Sequence, residues 1–453
     1  MDENKEVGCC ANLSNDKKMR IKMRCVRFSS IVLCLLFAAN TALGSDDSSY
    51  LTKTEFEAFM QQYQENHQAK AAKKSAFYKG QFGFTPYGYF NLDASFESDK
   101  TTTGDYTVWA NAPGQKADPG FSADVKSTRL GMKIDGPGIP GWNGSKTEAA
   151  VEVDFQQGYY TSRNRAGLLL RKAYLAVYDS NTRFLAGQDW EVISPLYPKM
   201  LNYTGGAGAG NIGYRRGMLR VDRKWTEHWV TQFALCDNVY RDGTAVSPAS
   251  ARYPLIEGRT AYSFSPVRPH TQPITLGISG HIGEQRYTFA DIGNTKYLKT
   301  WSFNVDFDLP ITQKLTFQTE YFLGENLGMM EVSAVQGVDW YRQNTIRAQG
   351  GWAALTYQAT KKLQSNVGYL IDDPFNGDIV TGSTPAAGGT FNSRNYNHVI
   401  FANVMYNWSE ALMTGFEINL WRTHWQRADS SGDVTSLGAG ESQRYQFTVR
   451  YSF

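Results

Sequence analysis

From Phe84 to the last residue the chain alternates apolar and polar positions in short runs. The clearest is 300–309, where Trp301, Phe303, Val305, Phe307 and Leu309 alternate with Ser302, Asn304, Asp306 and Asp308. Its neighbour 314–323 sets Leu315, Phe317, Thr319, Tyr321 and Leu323 against Lys314, Thr316, Gln318 and Glu320, with only Pro310-Ile-Thr-Gln313 between the two. The final run, Gln443 to Phe453, puts Tyr445, Phe447, Val449, Tyr451 and Phe453 on one face and Arg444, Gln446, Thr448, Arg450 and Ser452 on the other. Patterning with period two predicts strands with one apolar and one polar side. Others fall near 84–98, 124–135, 147–158, 167–179, 182–192, 213–225, 228–239, 257–265, 273–285, 345–358, 361–372, 395–408 and 411–425, making sixteen in all.

The connections alternate short and long. Short ones include Asp179–Thr182, Trp225–His228, Pro310–Gln313, Thr360–Lys362 and Trp408–Ala411; long ones include 99–123, 193–212, 240–256, 325–344, 373–394 and 426–442. An even strand number, short turns on one rim and long loops on the other are what an outer-membrane barrel demands. The predicted fold class is therefore all-β, a transmembrane antiparallel β-barrel of about 16 strands with a short N-terminal helical segment. Both ends of the barrel fall on the periplasmic side. The last strand closes against the first, carries its terminal aromatic to the membrane interface and serves as the handle for the barrel-assembly machinery. Inward positions are Asn, Gln, Ser, Thr and charges, so a water-filled lumen is expected, because a dry unpaired charge is far costlier than a hydrated one.

Composition narrows this further. The chain is rich in aromatics (14%) but has a negative mean hydropathy of −0.43. Several runs of about twenty apolar residues, which helical membrane proteins need, are missing. A net charge of +3 gives no ground for a nucleic-acid partner. The only long apolar run, Ile31–Ala39, follows Lys17, Lys18, Arg20, Lys22, Arg24 and Arg27 and precedes Ala42-Leu-Gly44. That is a secretory leader, with cleavage after Gly44. Its long basic region leaves Met19 and Met23 open as alternative starts. Residues 1–44 are thus assigned to the signal peptide, 45–80 to a periplasmic helical segment and linker, and 81–453 to the barrel. In the second segment Thr52–Glu55 reads as a capping box, and Phe56, Phe59, Met60 and Tyr63 recur at helical spacing. Either a solvated helix or a short coiled coil that sets the oligomer fits. Four of five cysteines lie in the leader, leaving Cys236 alone, so neither a disulfide framework nor a paired-cysteine metal site is available.

Candidate chemistry centres on 193–212. As the third long loop it is the segment expected to fold into the barrel, where its Gly and Ala residues allow close approach to the wall. Lys199 and Tyr203 would then point into the constriction. Gly208–Gly213 spells GxGxxG, but no buried strand precedes it and no helix follows, so a nucleotide site is excluded. By parity Arg129, Lys133, Arg216, Arg220, Arg444 and Arg450 face inward, and Arg171, Lys172 and Arg259 are uncertain in phase. Inward carboxylates are Asp93, Glu148, Glu152, Asp154, Asp306, Asp308 and Glu320. Opposed walls of this kind impose a transverse field, and guanidinium groups favour anionic solutes. Mutual pairing that merely stiffens the wall is the alternative. Six scattered histidines without HExxH or GxSxG give no catalytic residues, no metal site and no cofactor motif. Two rival readings stay open: a saccharide channel stacking sugars on Tyr87, Tyr89 and Tyr174, and a barrel hydrolase using His281 or His398.

The segments PYGYFNLDASFES (86–98), STRLGMKIDGP (127–137), AAVEVDFQQG (149–158), LLLRKAYLAV (168–177) and FLAGQDWEVISP (184–195), with the closing aromatic strand, resemble the DcaP-type porins of Gram-negative outer membranes. The resemblance spans roughly 84–225; beyond it only barrel grammar persists. It implies a homotrimer of sixteen-stranded barrels with an N-terminal periplasmic helical segment, passing small negatively charged solutes such as dicarboxylates along basic side chains near a narrowing. Arg129 in STRLG and Arg171 in LLRKAY take those positions here. The departure is the N-terminal segment, which breaks its heptad after Tyr63. The expected function is a diffusion porin for small hydrophilic solutes that prefers anions.

Overall fold

The computed structural model describes residues 77–102, 105–114, 118–157, 166–238, 251–264, 272–289, 294–339, 342–379, 391–428 and 434–453. The leader and the helical stretch from Thr52 to Tyr63 lie outside the described residues. Sixteen antiparallel strands close into one barrel: β1 (Phe82–Glu97), β2 (Gly120–Asp124 and Arg129–Gly136, two pieces on one neighbour), β3 (Lys146–Gln157), β4 (Gly167–Tyr178), β5 (Thr182–Trp190), β6 (Arg215–Lys224), β7 (Trp229–Cys236), β8 (Leu255–Phe264), β9 (Ile274–Phe289), β10 (Asn294–Pro310), β11 (Leu315–Glu325), β12 (Arg347–Gln358), β13 (Leu363–Pro374), β14 (Phe391–Asn407), β15 (Leu412–Ala428) and β16 (Val434–Ser452). Each pairs with its sequence neighbours, and β16 pairs with β1 from Tyr89↔Ser452 to Glu97↔Arg444. Pairing of β16 with β1 leaves no free strand edge in the barrel among the described residues, as a membrane span requires.

Alternation is carried through on the closing strands. Phe90, Leu92, Phe96, Phe447 and Tyr451 face outward and are exposed, whereas Asn91, Asp93, Arg444, Gln446 and Thr448 are buried on the inner side. Around the short-turn rim Trp225, Trp229, Tyr262, Tyr357, Trp408 and Tyr451 are exposed large aromatics, a girdle suited to a membrane interface. At the seam the Gly88 and Phe453 amides donate to each other's carbonyls (3.3 and 3.1 Å). Below that point a short strand, Phe77–Lys79, pairs with Phe82–Phe84. The end of the segment assigned as linker is therefore strand.

Two further boundaries differ from the sequence reading. The stretch 426–442, read as a long loop, is largely strand: β15 runs to Ala428 and β16 begins at Val434. Its Ser and Gly residues offer no apolar side to mark it, and a bulge beside Trp425 resets the register there. On β4 the uncertain phase has a physical cause. A bulge next to Glu152 shifts the β3–β4 register so that Leu168 and Leu170 face out while Arg171 is buried on the inside and Lys172 reaches inner-wall Asp189.

Among the described residues three long loops turn inward. Between β5 and β6, residues 191–214 cross the lumen; between β1 and β2, Tyr106, Val108 and Ala110 are buried inside; between β11 and β12, Leu327, Met330, Val332 and Ala334 are fully enclosed. The last of these bends through Asn326, Glu331, Ser333, Ala334 and Val335, all with positive φ. Apolar residues of the loops and the wall make a dry cluster inside the barrel, with Ile193, Ile212, Phe322, Leu327 and Met330 at its heart. The lumen is thus packed at this level, and its cavities lie to either side.

Candidate pore constriction

The loop 191–214 is fixed by carboxylates on strands across the lumen. Glu257 of β8 accepts the Val192 amide (3.1 Å), Glu320 of β11 accepts that of Leu196 (2.8 Å), and Glu417 of β15 accepts those of Leu201 and Asn202 (2.6 and 2.9 Å). Asn403 and Gln446 add donors to the Lys199 and Leu201 carbonyls (2.7 and 3.0 Å). A polar loop buried in a barrel has to find such partners, because each unmet amide is costly. Gly210 explains the glycine content: at φ 121°, a Cβ there would meet the Gly351 and Ile371 carbonyl oxygens at 2.4 Å. The other two inward loops clasp this one. Thr107 donates its amide to Asn202 (3.1 Å), and the Gly213 amide donates to Met330 (2.9 Å).

Two cavities flank the crossing, one of about 730 Å³ reaching toward the short-turn side and one of about 300 Å³ among the three loops. Arg171, Trp190, Tyr197, Tyr203, Asn211 and Gly213 line both and so mark the neck. Arg171 is pinned there. Its Nε donates to Glu152 (2.9 Å), its Nη1 to Asp154 (2.8 Å), and the Tyr203 hydroxyl donates to the same Asp154 oxygen (2.9 Å). Arg129 approaches the same carboxylates at 3.5 and 3.9 Å.

The larger cavity is unequal in charge. Among the described residues its lining holds Arg129, Arg171, Lys199, Arg220, Arg259 and Arg450 against Asp93 and Glu191. Asp93 is taken up by the hydroxyls of Ser127 and Thr448 (2.9 and 2.6 Å), and Glu191 by Arg216. Arg220 pairs with Asp222 (2.7 Å), whereas Arg450 donates to Asn91 (2.9 Å) over the Tyr89 ring. Loss of hydration inside the barrel pulls the Lys199 ammonium below the ordinary lysine value, with Asp308 opposing the shift.

Other sequence-derived candidates sit elsewhere. Lys133 bridges Glu148 (2.8 Å) and Asp135 (3.6 Å), and Lys172 bridges Asp189 (3.1 Å), outside both cavity linings. Arg216 is fully buried on Glu191 and the Met329 carbonyl, and Arg444 on Glu97 (2.5 Å) and the Asp105 carbonyl (2.6 Å). Both tie loops to the wall instead of meeting solutes, because an inward guanidinium beside a packed loop is met by that loop first. Glu320 lies beneath the crossing loop, and Asp306 is held bidentately by Arg259 (3.0 and 2.6 Å). Glu257 and Glu417, the other two loop anchors, were missed; a single Glu at an inward strand position was their only signal. Arg215 was missed as well.

A closed sixteen-stranded barrel narrowed by inward loops is the architecture of outer-membrane porins. In fold it matches the DcaP type that its sequence segments resemble. The outer-membrane channel DcaP of Acinetobacter baumannii superposes with a TM-score of 0.64 at 16% identity, over 84% of this chain and 100% of that one. The OmpF porin of Salmonella typhi, in complex with daunomycin, gives 0.53 at 11% (84% and 100% covered). An anion-selective porin from Comamonas acidovorans gives 0.51 at 13% (82% and 100%). No protein-family model and no curated protein matches the sequence.

Proposed function

We propose that this chain is an outer-membrane diffusion porin that passes small hydrophilic solutes and prefers anions, dicarboxylates among them. The leader 1–44 exports it, the barrel-assembly machinery inserts it by its last strand, and it works as a homotrimer in outer-membrane lipid. The observation that carries the reading is the larger cavity: of the six cationic side chains on its lining, Lys199 and Arg450 have no ion-pair partner among the described residues, while its two carboxylates are already engaged. Field lines in a low-dielectric cylinder concentrate such an imbalance on the solute. The pore path runs past Arg450, Arg129 and Lys199 to the neck at Arg171 and Tyr203, bounded by loop 191–214.

The rivals find less support. Tyr87 and Tyr174 donate their hydroxyls to Glu152 (3.1 Å) and Glu148 (2.9 Å), and Tyr89 lies under Arg129 and Arg450 at 5.3 and 4.4 Å, so these rings do not offer a free sugar platform. His281 is buried with its nitrogens on Ser302 and Thr300 (2.8 Å each), and His398 sits among the rings of Tyr369 and Tyr396. Single-channel current in a planar bilayer, followed by the reversal potential in a salt gradient, tests the proposal. Triple conductance steps with chloride preference are expected, weakened by Arg129→Ala with Arg450→Ala. Cation preference would overturn the anion reading, and absence of conductance from heat-modifiable protein would overturn the porin.

A further inference from the structure

We propose that the smaller cavity is a binding subsite for a small monocarboxylate with a flat body, held by Arg215. This rests on the porin reading and adds a resting place to it. Arg215 opens β6 just past the crossing loop, is 95% buried and lines the 300 Å³ cavity. Its guanidinium carbon lies 5.1 Å from the Trp190 ring centroid and 4.6 Å from that of Tyr214, so two aromatic faces hold it in place. Its Nε and Nη1 have no hydrogen-bond partner, and no carboxylate pairs with it among the described residues. A dry, uncompensated charge of this kind is costly, and an anion entering the cavity is the partner the site lacks.

The surroundings set the class. Arg171, the other cation on this cavity, is already answered by Glu152 and Asp154. Glu331 lines the same space. Arg215 is thus the one cation on this lining, among the described residues, without a carboxylate partner, and it matches a single carboxylate. Tyr106 and Tyr203, 5.5 Å apart, give the cavity an aromatic wall on which a ring would lie.

Benzoate is the probe, with acetate and benzyl alcohol as comparators lacking the flat body or the charge. Added at the long-loop side of single channels, benzoate is expected to interrupt the current for longer than either comparator. Arg215→Gln should shorten those interruptions about tenfold, the loss of one charge-assisted contact. Unchanged benzoate dwell in folded Arg215→Gln protein, or equal dwell for all three probes, overturns the subsite. If that variant does not fold, Tyr106→Leu decides: shorter benzoate dwell with acetate unaffected supports the subsite, and unaltered benzoate dwell overturns it. The wild-type reversal potential in the same membranes tests the porin's anion preference separately.

Discussion

Arg450 lies with its guanidinium carbon 4.4 Å from the centroid of the Tyr89 ring, and the Arg129 guanidinium sits 5.3 Å from the same ring. Strands β16 and β1 meet at the seam there, so a single aromatic ring spaces two cations along the path to the neck. Arg450 donates to Asn91 and has no carboxylate partner among the described residues. Replacing it with alanine is expected to move the reversal potential toward cations, while folding loses only about 0.5–1 kcal/mol of cation–π contact. Reversal potential and heat-modifiability on a gel, read together, check both halves.

Arg216→Ala should behave in the opposite way. Its guanidinium is sealed against Glu191 and reaches the Met329 and Asp237 carbonyls. Truncation strands a buried carboxylate, a loss of about 3–5 kcal/mol. A lower unfolding temperature is the expected result. A change in selectivity with no loss of stability would mean that Arg216 meets solutes after all.

Glu417 is the anchor of the loop tip. Glu417→Ala removes the acceptor of the Leu201 and Asn202 amides and should let the crossing swing aside. Single-channel conductance and the size limit for neutral solutes are both expected to rise. Glu417→Gln, which keeps an acceptor oxygen, should give a smaller increase.

Anion preference should decline with alkaline pH through Lys199. The enclosure of its ammonium places its folded value below the ordinary lysine value of 10.5. The cavity therefore loses a positive charge as pH rises through that depressed value, before a free lysine would deprotonate. Between the two values the unfolded chain holds more protons than the folded one, so stability rises with pH over that window. A pH series of reversal potentials checks this, and Lys199→Met should remove the step.

The barrel was legible because lipid on one side and water on the other force the alternation of Trp301–Leu309 and Tyr445–Phe453. The crossing loop was legible from its glycines and its place in the order of loops. What escaped was set by packing inside the lumen. A bulge beside Glu152, which no pattern announces, decides where Arg171 points. Parity placed Arg216 and Arg444 on the inner face but was blind to the loops that cover them. The inward loop between β11 and β12 hid because its enclosed Leu327, Met330 and Val332 read in sequence as an ordinary connection.

The partners that hold the loop tip come late in the chain. Leu201 waits for Glu417, 216 residues on, and for Gln446, 245 residues on. Closing a contact of such separation carries the entropy of a long loop, a cost that ordering of the intervening strands removes. Seen as an order of assembly, the cylinder must be nearly whole before its throat exists. The last two strands close the wall and seat the loop tip together, so the pore and its narrowing are completed by the same part of the chain.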